Sequence, residues 1–379
     1  MLEYTNSPGP LAGRHSLTRL TQSTWSVRAL AVGVLSALAL TACGGGSSSS
    51  GTASPGGGAI GGSSASSGSD TKLKAGLVFD IGGRGDKSFG ASAGRGMDQA
   101  KQELGVTDSE AVAVDGEPES AKEERLRLLA QNGFNPVIAV GFAYGPSLAK
   151  VAPEFPEVNF AIIDDGSATG DNIANLTFAE NEGSFLVGAA AALKSKTGNV
   201  GFIGGVQVPL IGKFEAGYEA GAKAVNPDIT LQSRYLTQPP DLGGFADPAK
   251  ATITADGMYQ NGADVIYTAA GGSGVGTFAS AKANGKLAIG VDSDQALTAD
   301  EDVRDVILTS MIKNVDVAVF EFLKSVSEGN FTAGPLVYDL KRDGVDYSTT
   351  GGKVDDIVPQ LDEFKQQIID GTITVPVAP

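Results

Sequence analysis

The sequence has little with which to do covalent or metal chemistry. Its 379 residues include one histidine, His15, and one cysteine, Cys43. Both lie in or at the edge of the N-terminal segment, so the body of the chain has neither imidazole nor thiol. That excludes Ser-His-Asp and Cys-His nucleophilic catalysis, a histidine general base, and zinc sites built from Cys and His. A disulfide within one chain is excluded as well. Positive charge is also scarce: 28 Lys and Arg face 44 Asp and Glu, for a formal net charge of −16. A nucleic-acid partner needs clustered cations on its contact face, and none is expected here. Electrostatic adhesion to an anionic membrane surface is disfavoured for the same reason. No catalytic residue, metal or cofactor is expected.

What is present begins with an address. Arg14, Arg19 and Arg28 precede the apolar run Ala29–Leu40, ALAVGVLSALAL. A basic segment followed by an apolar stretch of about a dozen residues is the pattern of a secretory signal. It is too short for a transmembrane helix, which needs about twenty residues. The run ends in Leu40-Thr41-Ala42-Cys43-Gly44, which resembles the bacterial lipobox, whose Cys is lipidated and becomes the first mature residue. Residues 1–42 therefore read as a lipoprotein signal peptide and Cys43 as the lipidation site. From Gly44 to Asp70 the chain is nearly pure Gly and Ser, a composition that cannot bury a core and behaves as flexible coil. Residues 43–71 read as a tether holding a folded body to the extracytoplasmic face of the cell membrane.

From Lys72 onward short apolar runs alternate with amphipathic segments. Ala75–Ile81, Ala111–Asp115, Pro136–Phe142 and Val158–Asp164 have the length of strands buried on both faces. A helix is predicted over Ser120–Gln131. A second series follows, with strands over Asn199–Gly205, Ile229–Leu236, Ala263–Ala269 and Lys286–Asp292 and helices over Lys213–Val225, Pro248–Gln260 and Val275–Ala283. Val306–Ile312 then leads into a helix over Asn314–Ser327, and a last helix is predicted near Gln360–Ile369. Such alternation implies an α/β fold of two doubly wound parallel-sheet lobes. Ligands of such sheets sit at the carboxyl ends of the strands, which here form a cleft between lobes.

Several blocks carry a more specific likeness: GLVFDIGGRGDKSFGASAGRGM (Gly76–Met97), VGFAYGPSLAKVAPEFPEVNFAIIDD (Val140–Asp165), FAENEGSFLVGAAAAL (Phe178–Leu193), VGFIGG with KFEAGYEAGA (Val200–Ala222), DVIYTAAGGSGVG (Asp264–Gly276) and SMIKNVDVAV (Ser310–Val319). In this order they resemble the type I periplasmic binding proteins, and within them the basic membrane protein family of lipoproteins, which includes bacterial purine nucleoside receptors. The likeness spans about Lys72 to Ser327. It implies a first lobe of residues 72–178 plus 313–330 and a second of 179–312 plus 331–379, with three crossings between them. It also implies a substrate-binding lipoprotein of an ABC-type importer, with a permease and an ATPase as partners and a purine nucleoside as ligand.

The residues at strand ends can be read on their own chemistry beside that likeness. Asp80 ends the first strand, and Asp86-Lys87-Ser88-Phe89 opens the first helix with Phe89 at the rim. In the family the matching Asp and Phe contact the nucleobase, and Phe214 would supply the facing aromatic. Asp164 ends the fourth strand as a second carboxylate for the base, with Asp165 as the choice if the register slips by one. For the ribose the candidates are Gly271, where the backbone can approach a hydroxyl closely, Asp292, which can accept two vicinal hydroxyls, and Lys313. The expected arrangement puts the two phenylalanines around the base and Asp292 with Lys313 at the opposite, ribose end. Family members carry Asn where this chain has Gly85 and Gly90, which bears on base selectivity. The run Gly271–Gly276 lacks the Gly-Lys-Ser/Thr ending of a phosphate loop.

Three other readings compete. The same architecture serves many ligands, so a sugar or another small polar solute is the alternative. A carboxylate-only glycoside or nucleoside hydrolase would need two carboxyls flanking the scissile bond or an oxygen-lined calcium site, and no cluster of consecutive Asp near the first strand supplies one. A purely adhesive surface lipoprotein would have no use for aromatic and charged residues at strand ends.

Overall fold

The computed structural model describes residues 72–379. The signal peptide, Cys43 and the tether lie outside the described residues. Two six-stranded sheets organise the body. The first half builds β1 (Lys74–Phe79), α1 (Phe89–Glu103), β2 (Thr107–Val112), α2 (Glu119–Gln131), β3 (Val137–Val140), α3 (Gly145–Val151), β4 (Phe160–Ile163) and β5 (Ile173–Phe178). The second builds α4 (Glu180–Lys194), β6 (Asn199–Val206), α5 (Pro209–Val225), β7 (Thr230–Thr237), α6 (Pro248–Gln260), β8 (Val265–Ala269), α7 (Gly274–Asn284), β9 (Leu287–Asp292), α8 (Gln295–Thr298) and β10 (Ile307–Lys313). The chain ends with α9 (Val315–Ser327), β11 (Gly334–Tyr338), β12 (Val345–Tyr347) and α10 (Val358–Ile369).

The first sheet runs β11-β5-β4-β3-β1-β2 and every pairing in it is parallel. The second runs β12-β10-β9-β8-β6-β7 and is parallel except where β12 meets β10. Central strands such as VIAV (β3) and FAII (β4) are buried throughout, as expected when helices cover both faces. The chain crosses between lobes at Ala179, at Asn314 and at residues 339–344. Ala179 N–H donates to Tyr338 O at 2.9 Å, and Asn314 N–H donates to Gly344 O at 2.9 Å. Glu182 accepts from Leu340 N–H at 3.0 Å. The crossings are thus bonded to one another rather than three independent strings.

The structure adds three strands with no predicted counterpart, β5, β11 and β12, and departs from the sequence reading elsewhere too. The second strand spans Thr107–Val112, not Ala111–Asp115, because it is a half-exposed edge strand of polar residues and carries no apolar run; Val114 beyond it is 66% exposed. Residues 331–379 do not all belong to the second lobe. β11 joins the first sheet beside β5, and only β12 and α10 lie with the second. Finally, α5 begins at Pro209 rather than Lys213, since proline suits the first helical position. Among the described residues no helix is long and apolar enough to cross a membrane.

Candidate ligand-binding cleft

The carboxyl ends of both sheets open on one cavity of about 640 Å³, its open mouth included, and all seven candidate residues of the body line it: Asp80, Phe89, Asp164, Phe214, Gly271, Asp292 and Lys313. Chain topology brings them there. Asp80 follows β1, Asp164 follows β4 and Gly271 follows β8, while Asp292 and Lys313 are the last residues of β9 and β10. Phe89 is the first residue of α1, and Phe214 lies in the second turn of α5. Asp164 and Asp292 take left-handed backbone conformations, with φ of 69° and 64°. Such values are uncommon outside glycine, better tolerated by Asp, and typical of sites held by their surroundings. Gly271 shares that region at φ 53°, and a Cβ there would stand 3.4 Å from Phe245 O.

Lys313 is the electrostatic centre. Its side chain is 1% exposed, and Nζ donates to Asp164 Oδ2 at 2.6 Å. Glu180 Oε1 lies 3.1 Å away, an ion-pair distance without hydrogen-bond alignment. Burial alone would lower the Lys313 pKa, but Asp164, Glu180 and Asp292 outweigh burial and raise it. Three ring faces complete the surroundings, with Nζ 4.9 Å from the Phe178 centroid, 5.2 Å from Phe89 and 5.5 Å from Phe214. The two phenylalanines and Lys313 therefore share one end of the cavity. The expected separation of an aromatic end from a lysine end does not occur, because Asp164 and Glu180 draw the ammonium in among the rings.

The carboxylates differ in their partners. Burial pushes Asp292 up to about 7, against the pull of Lys313 and a hydrogen bond from Ser88. Burial likewise raises Asp164 to about 6, again opposed by Lys313. Asp164 Oδ1 is buried and has no hydrogen-bond partner. Asp80 is also raised by burial; its Oδ1 accepts from Ile81 N–H at 2.9 Å. A wall with acceptors lacking donors and with apolar rings is suited to an uncharged ligand that carries hydroxyl or N–H groups and a flat face.

Several wall or supporting residues were missed from the sequence. Phe142 and Phe245 come from opposite lobes and meet edge to face with centroids 6.2 Å apart. Phe142, with Asp80 and Ile81, also borders the open groove outside the cavity. Phe245 sits in a short turn after two glycines, where only its being aromatic marks it. Asp86 accepts from the N–H groups of Ser88 (2.9 Å), Gly90 (2.7 Å) and Ala91 (3.0 Å), and so caps α1 while lining the cavity. Glu180 reads in sequence as an ordinary acidic residue in a first helical turn, yet it is 0% exposed and also accepts from Lys213 Nζ at 3.2 Å. Asp165, the alternative to Asp164, turns away to accept from Ser167 and Ala168 N–H. Gly85 and Gly90 do not line the cavity.

Comparison with known proteins gives consistent matches. A family model described as ABC transporter substrate-binding protein PnrA-like matches residues 73–378. A CD4+ T-cell-stimulating antigen of Listeria innocua is 35% identical over 83% of this chain and 91% of that protein. The ABC transporter nucleoside-binding protein BmpA of Lactococcus lactis is 35% identical over 81% of this chain and 90% of its own. Basic membrane protein A of Borreliella burgdorferi is 33% identical over 80% and 87%. Among solved structures, an ABC transporter solute-binding protein from Aeropyrum pernix superposes with a TM-score of 0.70 at 30% identity, covering 80% of this chain and 94% of that one.

Proposed function

We propose, because the chain belongs to the family of PnrA-like ABC transporter substrate-binding proteins, that its cleft captures a purine nucleoside for import. The protein is a binding component and not an enzyme, and its role entails a small-molecule ligand together with permease and ATPase subunits. A relative named for nucleoside binding shares 35% of its residues over most of both chains. The observation that carries the proposal is the combination at one buried end of the cavity. There the rings of Phe89 and Phe214 flank the Lys313 ammonium, while Asp164 Oδ1 stands buried without a donor.

In this reading the purine lies against Phe89 and Phe214, gaining about 1–3 kcal/mol from stacking. Its N–H groups answer the Asp80 and Asp164 carboxylates, and the ribose hydroxyls meet Asp292, the Lys313 ammonium and the backbone at Gly271. Nucleobase and ribose are then both within reach of Lys313, in keeping with its place beside the rings. The body is held at the membrane by lipid on Cys43 through the Gly/Ser tether. A sugar could use the same acceptors but would leave the second ring face unused.

The test is a thermal-shift and calorimetric screen of nucleosides, free bases and sugars. A ligand that binds only the folded form raises its melting temperature as its concentration exceeds Kd. Inosine, guanosine or adenosine should stabilise the protein more than ribose or hypoxanthine does. Stabilisation by a sugar alone would replace the nucleoside reading with the sugar one.

A further inference from the structure

Asp292 is held by a residue of the other lobe. Ser88, fully buried in the turn before α1, donates its hydroxyl to Asp292 Oδ2 at 2.7 Å, with Val291 O as a second acceptor at 3.0 Å. The contact is reciprocal, because Ser293 Oγ donates to Ser88 O at 2.8 Å. Ser88 is itself fixed from its own side, its N–H bonded to Asp86 Oδ1 at 2.9 Å. The neighbouring Lys87 adds three more links to the second lobe, its O accepting from Gln295 Nε2 and Thr298 Oγ1 at 3.3 and 3.2 Å and its Nζ donating to Asp300 Oδ1 at 2.7 Å. No described group bonds Asp292 Oδ1, and Asp292 is on the cavity wall. One carboxylate oxygen is therefore spent on the first lobe and the other faces the ligand space.

We propose that Ser88 is a positioning residue that makes the grip of Asp292 on ligand hydroxyls conditional on closure of the two lobes. The proposal rests on the reading of Asp292 as the acceptor for a nucleoside's hydroxyls. When the lobes part, the one hydroxyl bonded to Asp292 among the described residues leaves with Ser88, because Ser88 precedes α1 of the first lobe and Asp292 ends β9 of the second. The carboxylate, in its left-handed backbone conformation, then loses the bond that sets its plane. It also loses a donor that favours its ionised form, the form able to accept two hydroxyls at once. The other charged and titratable groups around Asp292 are Lys313 from β10, which favours ionisation, and Asp164 after β4 and Asp86 before α1, which oppose it. Tyr267 from β8 also feels its charge. Ser88 is thus the neutral partner that closure adds to a set of charges in which carboxylates outnumber the one lysine.

The test is calorimetric titration of inosine into the full-length protein and into Ser88→Ala and Ser88→Cys, from about pH 6 to about pH 8.5. Losing a hydrogen bond to a charged group should weaken inosine roughly tenfold or more near pH 6 in Ser88→Ala. The gap should narrow as pH rises, because base restores the carboxylate that the hydroxyl no longer favours. The midpoint of the affinity profile should move to higher pH, and Ser88→Cys, with a weak donor of similar size, should fall between. If Ser88→Ala does not fold, the displacement in Ser88→Cys decides. A loss of affinity that is the same at every pH, or none, would overturn the proposal and leave Ser88 a packing residue. Failure of the unaltered protein to bind inosine would instead count against the nucleoside reading.

Discussion

Lys313 Nζ lies 2.6 Å from Asp164 Oδ2, and this buried ion pair joins the end of a second-sheet strand to the end of a first-sheet strand. Among the described residues Lys313 is also the one cation on the cavity wall, against the carboxylates of Asp80, Asp86, Asp164 and Asp292. Its removal is therefore an electrostatic event before it is a binding event. Lys313→Met keeps the stem but leaves Asp164, Glu180 and Asp292 without their shared counter-ion. Breaking a buried pair from one side costs about 3–5 kcal/mol. The loss should be greatest above pH 7 and smaller near pH 5, because Asp164 and Asp292 already stand at about 6 and 7, and they rise further without the ammonium. Urea unfolding at the two pH values reads this directly. An equal loss at both would assign the role of Lys313 to packing.

Asp292 gives the opposite sign. Its folded pKa of about 7 is above the ordinary carboxylate value near 3.9. Its contribution to stability is thus fully present below about pH 4 and lost as pH rises through 7. Asp292→Asn removes that loss, and Asn tolerates the left-handed backbone. At pH 8 the unliganded variant should melt at least about 2 °C higher than the parent, with the gain shrinking toward pH 4. Inosine affinity should meanwhile fall roughly tenfold or more. In the unaltered protein, affinity should weaken as pH drops below 7, where Asp292 takes up its proton. A lower melting temperature for Asp292→Asn at pH 8 would make the carboxylate a structural requirement instead.

The two phenylalanines should separate in a mutational test although they share the cavity. Phe214 is 3% exposed and belongs to the main core cluster, whereas Phe89 is half-buried. Phe89→Leu should leave stability nearly unchanged and weaken inosine by about 1 kcal/mol or more, roughly fivefold. Phe214→Ala should lose binding and also about 3–5 kcal/mol of stability. Calorimetry beside chemical unfolding distinguishes them. Hypoxanthine should lose the same factor as inosine in Phe89→Leu if the ring meets the base.

How much of this was legible in the sequence follows from where each residue sits. Strand ends were readable because buried parallel strands are apolar runs that stop at a charged or small residue: Asp80, Asp164, Gly271, Asp292 and Lys313 each stand where such a run stops. Three edge strands were not, since β2 and β11 are half-exposed and β12 has only three residues. Their partners, not their own patterns, make them strands. Glu180 and Asp86 were hidden by ordinary chemistry, as acids near helix starts are expected with or without a site. The place of Lys313 among three rings was hidden for another reason. It depends on contacts between residues separated by about a hundred positions or more, and one sequence carries no record of them.

The lipid anchor is a prediction about residues outside the described fold. If the lipobox-like run Leu40–Gly44 directs lipidation, it requires the thiol of Cys43, which no other residue can replace. Cys43→Ala should accumulate as an unprocessed precursor that takes up no labelled palmitate. Processed parent protein found free of lipid in the medium would remove the anchor from the account.

Gly85 and Gly90, where the family resemblance implies Asn, sit in different physical surroundings, and substituting each tests them separately. A Cβ on Gly90 would stand 2.1 Å from Gly83 O and 2.6 Å from Gly83 C. The turn at Gly83–Asp86 is thus packed on the first turn of α1 so closely that only glycine fits. That turn also carries Asp86, whose carboxylate caps the helix, and Arg84, paired with Asp98 and Glu110. Gly90→Asn must push it outward, and overpacking of this kind costs about 1–3 kcal/mol. At Gly85 a Cβ meets nothing within 4 Å, so Gly85→Asn should change stability by no more than about 0.5 kcal/mol. Because neither residue is on the cavity wall, Gly85→Asn should also leave inosine affinity unchanged. Gly90→Asn should weaken it only through the displaced turn, which aims Ser88 and Phe89. Unfolding and titration of the two variants check both halves. A stable, tightly binding Gly90→Asn would mean that the turn moves freely, and that its grip on the start of α1 does not set the site.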